Sequence, residues 1–251
     1  MLYNYHTHTF RCLHASGKDR EYVENAIRGG IKTLGFSDHA PYVFPKSYHS
    51  GYRMRTDELE EYAESVRALQ KEYAQDIRIL CGFELEYYPD FHEAEMRFLD
   101  KIKPDYCILG QHFFGNEINQ PYAPFLPSEE YFSAYISQIL NGLRTGDFLY
   151  LAHPDLAGYR FSAEAIDREY RRLCQGAKAL GIPLEINLLG IREHRHYPDK
   201  RFYQIAAEIG NEIVLGADAH TPTDVNDVAS ERIAKQWAQE LGLQILEKPI
   251  L

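Results

Sequence analysis

A chain of 251 residues with 45% apolar composition can bury a large core, as two small domains or as one α/β barrel, and its periodic pattern favours one domain over residues 1–251. A formal net charge of −10 argues against a nucleic-acid polymer or an anionic membrane as partner, since both are bound through basic patches, but not against a small anion drawn to divalent ions in a pocket. No apolar run reaches the ~18 residues of a membrane span, the first residues show neither a basic start nor a signal-type apolar stretch, and Cys12, Cys81, Cys107 and Cys174 form no CxxC pair. A cytoplasmic protein without disulfides is therefore expected.

The first strand leads into Tyr5-His6-Thr7-His8-Thr9, where alternation puts His6 and His8 on one side, able to grip one metal ion, with His14 in the loop beyond. Asp19 to Arg28 has the period of an amphipathic helix closed by Gly29-Gly30. A second strand, Thr33 to His39, ends in a histidine, and a loop rich in Pro, Tyr and Ser follows to about Arg55. Thr56-Asp57-Glu58-Leu59 then starts a helix running to near Ala74.

Ile77 to Tyr87 is a third strand with Glu84 and Glu86 on one side, and the helix Phe91 to Ile102 leads to a fourth, Asp105 to Phe113, which carries Gln111-His112. Gly115 to Pro127 is the longest predicted loop and a candidate pocket lid. Helix Ser128 to Leu143, strand Phe148 to His153, helix Ser162 to Leu180 and strand Pro183 to Leu189 repeat the unit. The chain continues with helix Asp199 to Ile209, a seventh strand from Glu212 to His220, helix Thr223 to Leu241 and a short last strand at Leu243 to Leu246.

Strands alternating with helices imply a parallel sheet by the right-handed crossover rule, open or closed. An open sheet gathers its site at one crevice, whereas six of the seven main strands here carry His, Glu or Asp near their C-terminal ends, so a closed barrel is expected. Those ends supply His6, His8, His14, His39, Glu84, His112, His153, Asp218 and His220. Nine nitrogen and oxygen ligands are too many for one ion; three divalent ions with a shared carboxylate fit the count. Each residue alone has a plain explanation, such as a structural histidine, an arginine-paired Glu84 or an Asp218 that caps the last helix. The joint pattern outweighs these, because seven of eleven histidines fall at or just past predicted strand ends.

The stretches His6-Thr7-His8-Thr9, Ser37-Asp38-His39-Ala40-Pro41, Gly82-Phe83-Glu84, Gly110-Gln111-His112-Phe113, Ala152-His153-Pro154, Glu185-Ile186-Asn187 and Gly216-Ala217-Asp218-Ala219-His220 resemble the PHP (polymerase and histidinol phosphatase) family. Within it the chain is most similar to monofunctional histidinol-phosphate phosphatases, departing at Gln111, where that group tends to carry a small residue and Val before the histidine. The resemblance implies an α/β fold, a distorted seven-stranded (β/α)7 barrel of the PHP type, with three divalent ions (Zn, Fe or Mn). By position His6, His8, Glu84 and Asp218 would hold the first ion, Glu84, His112 and His153 the second, and His14, His39 and His220 the third. It further implies hydrolysis of a phosphomonoester, L-histidinol phosphate in histidine biosynthesis, by a hydroxide shared between two ions, with Glu84, Asp218 and His220 in the catalytic machinery.

Arg160, Arg192 and Arg195 each read equally well as solvated loop charges, but Arg160 follows the fifth strand and Arg192 the sixth, so these two are expected on the ligand-bearing face as phosphate contacts; His194 and His196 lie in the same loop as candidates to protonate the leaving alkoxide, with His196 expected to contact substrate. Asp38 and Asp155 are either carboxylates behind the ligands or turn residues. Three alternatives remain at this level: a PHP phosphoesterase for a nucleotide or phosphoprotein, an amidohydrolase-type enzyme with one or two ions, and a non-catalytic metal-binding protein.

Overall fold

Every residue of Thr33–His39 is buried, as a parallel strand covered on both faces requires, and the sheet grows from this strand. The computed structural model describes residues 1–45, 47–247 and 250–251; Lys46, in the loop predicted before the second helix, and Lys248 and Pro249, past the last strand, lie outside them. Strands β1 (Tyr3–Asn4), β2 (Thr33–His39), β3 (Arg78–Leu85) and β4 (Tyr106–Leu109) form one parallel sheet in that order. Strands β5 (Leu184–Asn187), β6 (Glu212–Gly216) and β7 (Gln244–Ile245) form a second. Single parallel pairings lie between the two, Leu109 with Leu151 and Leu151 with Leu184 on one side, Thr7 with Ala219 on the other. The fold is thus α/β with a curled parallel sheet in two pieces, where the sequence predicts one continuous seven-stranded ladder.

The differences from the predicted elements sit at the strand ends. Phe148 to His153 is not a strand, although Leu149 and Ala152 donate to Cys107 and Leu109 and Leu151 donates to Pro183. Pro183 has no N–H to return a bond, and His153, at φ 27°, turns the chain away. Asp218, at φ 45°, likewise ends β6 early. Leu188 and Leu189 are not strand but open a short helix, for which the Asn187 side chain accepts from the Gly190 N–H.

The helices are α1 (Asp19–Arg28), α2 (Leu59–Glu72), α3 (His92–Leu99), α4 (Glu129–Leu143), α5 (Ala163–Leu180), α6 (Leu188–Arg192), α7 (Lys200–Ile209) and α8 (Val228–Leu241). Their buried faces join one apolar cluster that runs from Tyr22 to Ala234. Among the described residues no helix is long and apolar enough to cross a membrane, and all four cysteines are buried thiols.

Tyrosines fill the inside of the curl. Tyr3, Tyr5, Tyr106 and Tyr150 pack with Leu80, Ile108, Ala152 and Val214, and the Tyr106 hydroxyl donates to the carbonyls of Tyr5 and Phe36. Space for that ring exists because position 35 is glycine; a Cβ there would lie 2.1 Å from the Tyr106 hydroxyl. On the outside, buried Arg11 reaches both oxygens of Asp19 in α1 at 3.1 and 3.0 Å and also pairs with Glu61 in α2. This joins the turn that carries His14 to two helices.

Glu95 of α3 is buried, with one oxygen accepting from the Val43 N–H and the other unpartnered. Burial pushes its pKa from the ordinary 4.5 up to about 8. Between those values the folded chain keeps a proton that the unfolded chain has released, so this carboxyl lowers stability as pH rises, by up to ~1.4 kcal/mol per pH unit. Glu95→Gln is expected to gain stability over the parent between pH 5 and pH 8; parallel denaturant curves at both pH values check it, and an unchanged difference would count against a protonated Glu95.

Candidate metal centre

At the C-terminal ends of the strands one carboxylate has five imidazoles around it. The register sets His39 of β2 beside Glu84 of β3, and Glu84 beside Ile108 of β4. Glu84 Oε2 lies 3.5 Å from His6 Nε2, 3.4 Å from His8 Nε2 and 3.1 Å from His39 Nδ1. Its Oε1 lies 2.8 Å from His153 Nε2 and 3.6 Å from His112 Nε2. Asp218 Oδ1 is 3.5 Å from His6 Nε2, 3.2 Å from His8 Nε2 and 3.4 Å from His220 Nδ1. His14 joins from the exposed side, its ring centroid 4.8 Å from that of His220 and 5.4 Å from that of His39. All nine side chains singled out by the sequence therefore converge.

Two carboxylates cannot satisfy so many nitrogens by hydrogen bonding. His6 Nε2, His8 Nε2, His39 Nδ1 and Asp218 Oδ1 are buried without a hydrogen-bond partner, an arrangement that is costly unless a cation accepts the lone pairs. Burial holds His14, His39 and His220 below the ordinary histidine value, His220 to about 3, whereas the carboxylates facing His6, His8 and His112 outweigh burial and raise theirs. His6, His8 and Glu84 offer ligand atoms within 4.8 Å of one another; so do His6, His153 and Asp218, and so do His8, His39 and His220. These overlapping triads suit divalent ions.

Groups behind the histidines set their orientation. Glu185 Oε1 lies 2.8 Å from His6 Nδ1, Glu86 Oε1 lies 3.0 Å from His112 Nδ1, and the Cys12 carbonyl lies 2.8 Å from His14 Nδ1. In each case the opposite ring nitrogen is left for the cluster. Asp38, an open question in the sequence, accepts from Thr9 and from the His39 N–H and faces His8 Nδ1 at 3.5 Å. Asp155 accepts instead from the Asp199 N–H, and burial pushes its pKa up to about 7.

Above the cluster opens a cavity of about 680 Å³ walled by Tyr52, Phe113, Tyr122, Phe125 and Tyr197. Tyr122 and Phe125 come from the predicted lid loop. The predicted substrate contacts fare differently. Arg192 is absent from the lining; it is ion-paired with Asp227 at 3.1 Å and Asp224 at 3.6 Å, and its Nη2 donates to the Asp218 carbonyl, so it braces the Asp218 turn. His196 is also outside the lining, stacked on Tyr159 with its Nε2 2.9 Å from the Leu156 carbonyl. Arg160 is exposed, with its guanidinium over the Phe125 ring at the cavity mouth. Among the described residues the cation that lines the cavity is Arg195, beside Glu193 and the Tyr197 hydroxyl. Only the turn after α6 distinguishes Arg195 from Arg192, and that helix was not predicted. Gln111, the departure from the family pattern, faces away from the cavity and bonds the Tyr87 N–H and the Phe113 carbonyl.

The sequence model of the PHP domain family matches residues 4–188. A probable histidinol-phosphatase of Deinococcus radiodurans is 31% identical over 235 residues, covering 88% of this chain and 86% of that protein. The histidinol-phosphatase of Bacillus subtilis is 26% identical over 254 residues, with 88% and 94% covered. Among solved structures, histidinol phosphate phosphatase from Lactococcus lactis, complexed with Zn, L-histidinol and phosphate, shares the fold with a TM-score of 0.75 at 20% identity, covering 97% of this chain and 95% of that one.

A Cβ at Gly110 would lie 1.7 Å from Glu84 Oε1, so the glycine after β4 makes room for the shared carboxylate. Gly110→Ala is expected to displace Glu84 and lower the divalent-ion content of the purified protein, as measured by elemental analysis, with parent-like content as the contrary result.

Proposed function

The chain belongs to the PHP domain family, and on that premise we propose that it is a metal-dependent phosphomonoester hydrolase acting on L-histidinol phosphate in histidine biosynthesis, in the cytoplasm. The observation that carries the reading is Glu84, buried at the meeting point of five imidazoles, three of which, His6, His8 and His39, turn a buried nitrogen without a hydrogen-bond partner toward it. We read residues 1–251 as a single domain and its two sheet pieces as one distorted seven-stranded barrel, a reading supported by the pairings at Leu109, Leu151 and Leu184 and at Thr7 and Ala219.

The ligand sets follow the same reading: His6, His8, Glu84 and Asp218; Glu84, His112 and His153; His14, His39 and His220. Three divalent ions, Zn, Fe or Mn, supply an activated water near neutral pH and positive charge for the phosphoryl oxygens. The chain's own residues do the rest. Glu84 divides its two oxygens between two ligand sets, Asp218 reaches His6, His8 and His220, and Glu185 and Glu86 hold the rings of His6 and His112.

Arg195 is the phosphate-binding cation of the cavity, and Arg160 adds positive charge at its mouth. The aromatic wall of Tyr52, Phe113, Tyr122 and Tyr197 fits the imidazole end of the substrate, while Glu193 fits its ammonium group. Contacts to that far end matter because an alkyl phosphate has a poor leaving group, whose barrier is lowered by binding energy realised in the transition state.

Glu84→Ala is expected to abolish phosphate release, and near-normal kcat would contradict the shared-ligand role. With metal content unchanged, Arg195→Ala should lose about 1.5–3 kcal/mol in kcat/KM, the scale of a hydrogen bond to a charged group. L-histidinol phosphate should exceed an aryl phosphate in kcat/KM, and Glu193→Gln should narrow that margin. Equal values for the two esters in the parent would move the chain to another phosphomonoester.

A further inference from the structure

Beyond His112 lies a buried charge cluster that no ion has to touch. Arg53, from the loop between β2 and α2, is 2% exposed yet reaches four acceptors, two carboxylates, a carbonyl and the Tyr52 hydroxyl. Its Nη2 donates to both oxygens of Glu86 at 3.0 Å, its Nε donates to Glu117 Oε2 at 2.8 Å, and its Nη1 donates to the Ala40 carbonyl at 2.8 Å. The Tyr52 hydroxyl sits between the carboxylates, 3.0 Å from Glu86 and 2.7 Å from Glu117. Glu86 is also the partner of His112 Nδ1, and Glu117 belongs to the 115–127 segment that carries Tyr122 and Phe125 into the cavity wall.

Burying one guanidinium with two carboxylates is expensive, and an apolar filling of the same volume is often no less stable. The planar fork of an arginine can serve acceptors in three directions at once, which the point charge of a lysine cannot. Such a cluster specifies position. Its acceptors here are the group behind a ligand, the backbone next to His39 and the anchor of the cavity wall.

We propose that Arg53 is a positioning residue for the His112 arm of the centre: through Glu86 it aims His112 Nε2 at the cavity, and through Glu117 it fixes the 115–127 wall to the same point. Ion retention and substrate fit thereby share one buried cation. The proposal rests on the reading of His112 as a ligand.

The test uses the full chain loaded with Zn2+, with ions counted by elemental analysis and the most weakly held one titrated against a chromophoric chelator. Arg53→Ala is expected to weaken one ion by about 10- to 100-fold, the range for partners of metal-ligating histidines, and to leave the others in place. Added guanidinium should restore part of that affinity. Glu117→Gln separates the two arms, with the ion count kept and KM for L-histidinol phosphate raised. If Arg53→Ala does not fold, Arg53→Lys decides: a weakened ion and a raised KM support the proposal, and parent-like values of both overturn it. A lower Tm of the metal-free chain with unchanged ion affinity, and no response to guanidinium, would show a merely structural role and also overturn it. His112→Ala is the control, since full ion content in that variant would sink the ligand reading itself, whereas loss of one ion there with unchanged Arg53 variants would sink this proposal alone.

Discussion

The structure depends on how one buried carboxylate can sit at the meeting point of five imidazoles. Glu84 is 1% exposed, and its two oxygens face five ring nitrogens at 2.8 to 3.6 Å. Burial alone would protonate it, so positive charge has to face its oxygens for the carboxyl to stay well below the ordinary range. Hydrogen bonds cannot satisfy the whole cluster, and divalent cations would complete the electrostatics.

Holding such a cluster shapes the chain around it. His153 and Asp218 adopt left-handed backbone angles, sparsely populated for residues with a Cβ, and the surrounding packing keeps them there. Arg192 bonds the carbonyls at the Asp218 turn while pairing with Asp224 and Asp227, so one side chain ties that turn to the start of α8. Beneath the ligands the tyrosine layer fills the curl, and the Tyr150 hydroxyl donates to the same Glu185 that orients His6. Core packing and ligand orientation are therefore continuous.

The substrate side follows a different logic. Ligands project from strand ends, whose direction the sheet dictates, but the cavity wall is assembled from loops that run over the strand ends. Tyr52, Phe113 and Tyr122 meet there through aromatic contacts between two such segments, and Arg195 is set by the turn after α6. An acidic exterior is compatible with an anionic substrate because divalent ions held at the cluster would set the local field of the cavity, which Arg195 also lines.

The sequence by itself determined the α/β class, the helices within a residue or two at most ends, and the nine side chains that converge, because strand alternation and one ligand per strand end are local patterns. The limits of the short strands, the absence of a continuous ladder at Phe148 to His153, and helix α6 were decided by tertiary pairing: a strand two to four residues long has little periodicity of its own, and whether it joins a ladder depends on neighbours distant in the chain. Choosing Arg195 over Arg192 and Arg160 likewise needed the fold, since one turn of backbone moves an arginine from a cavity to an aspartate pair. The partnership of Arg53 with Glu86 and Glu117 spans 33 and 64 residues, and only the closing of two loops over the strand ends brings those charges into one buried site.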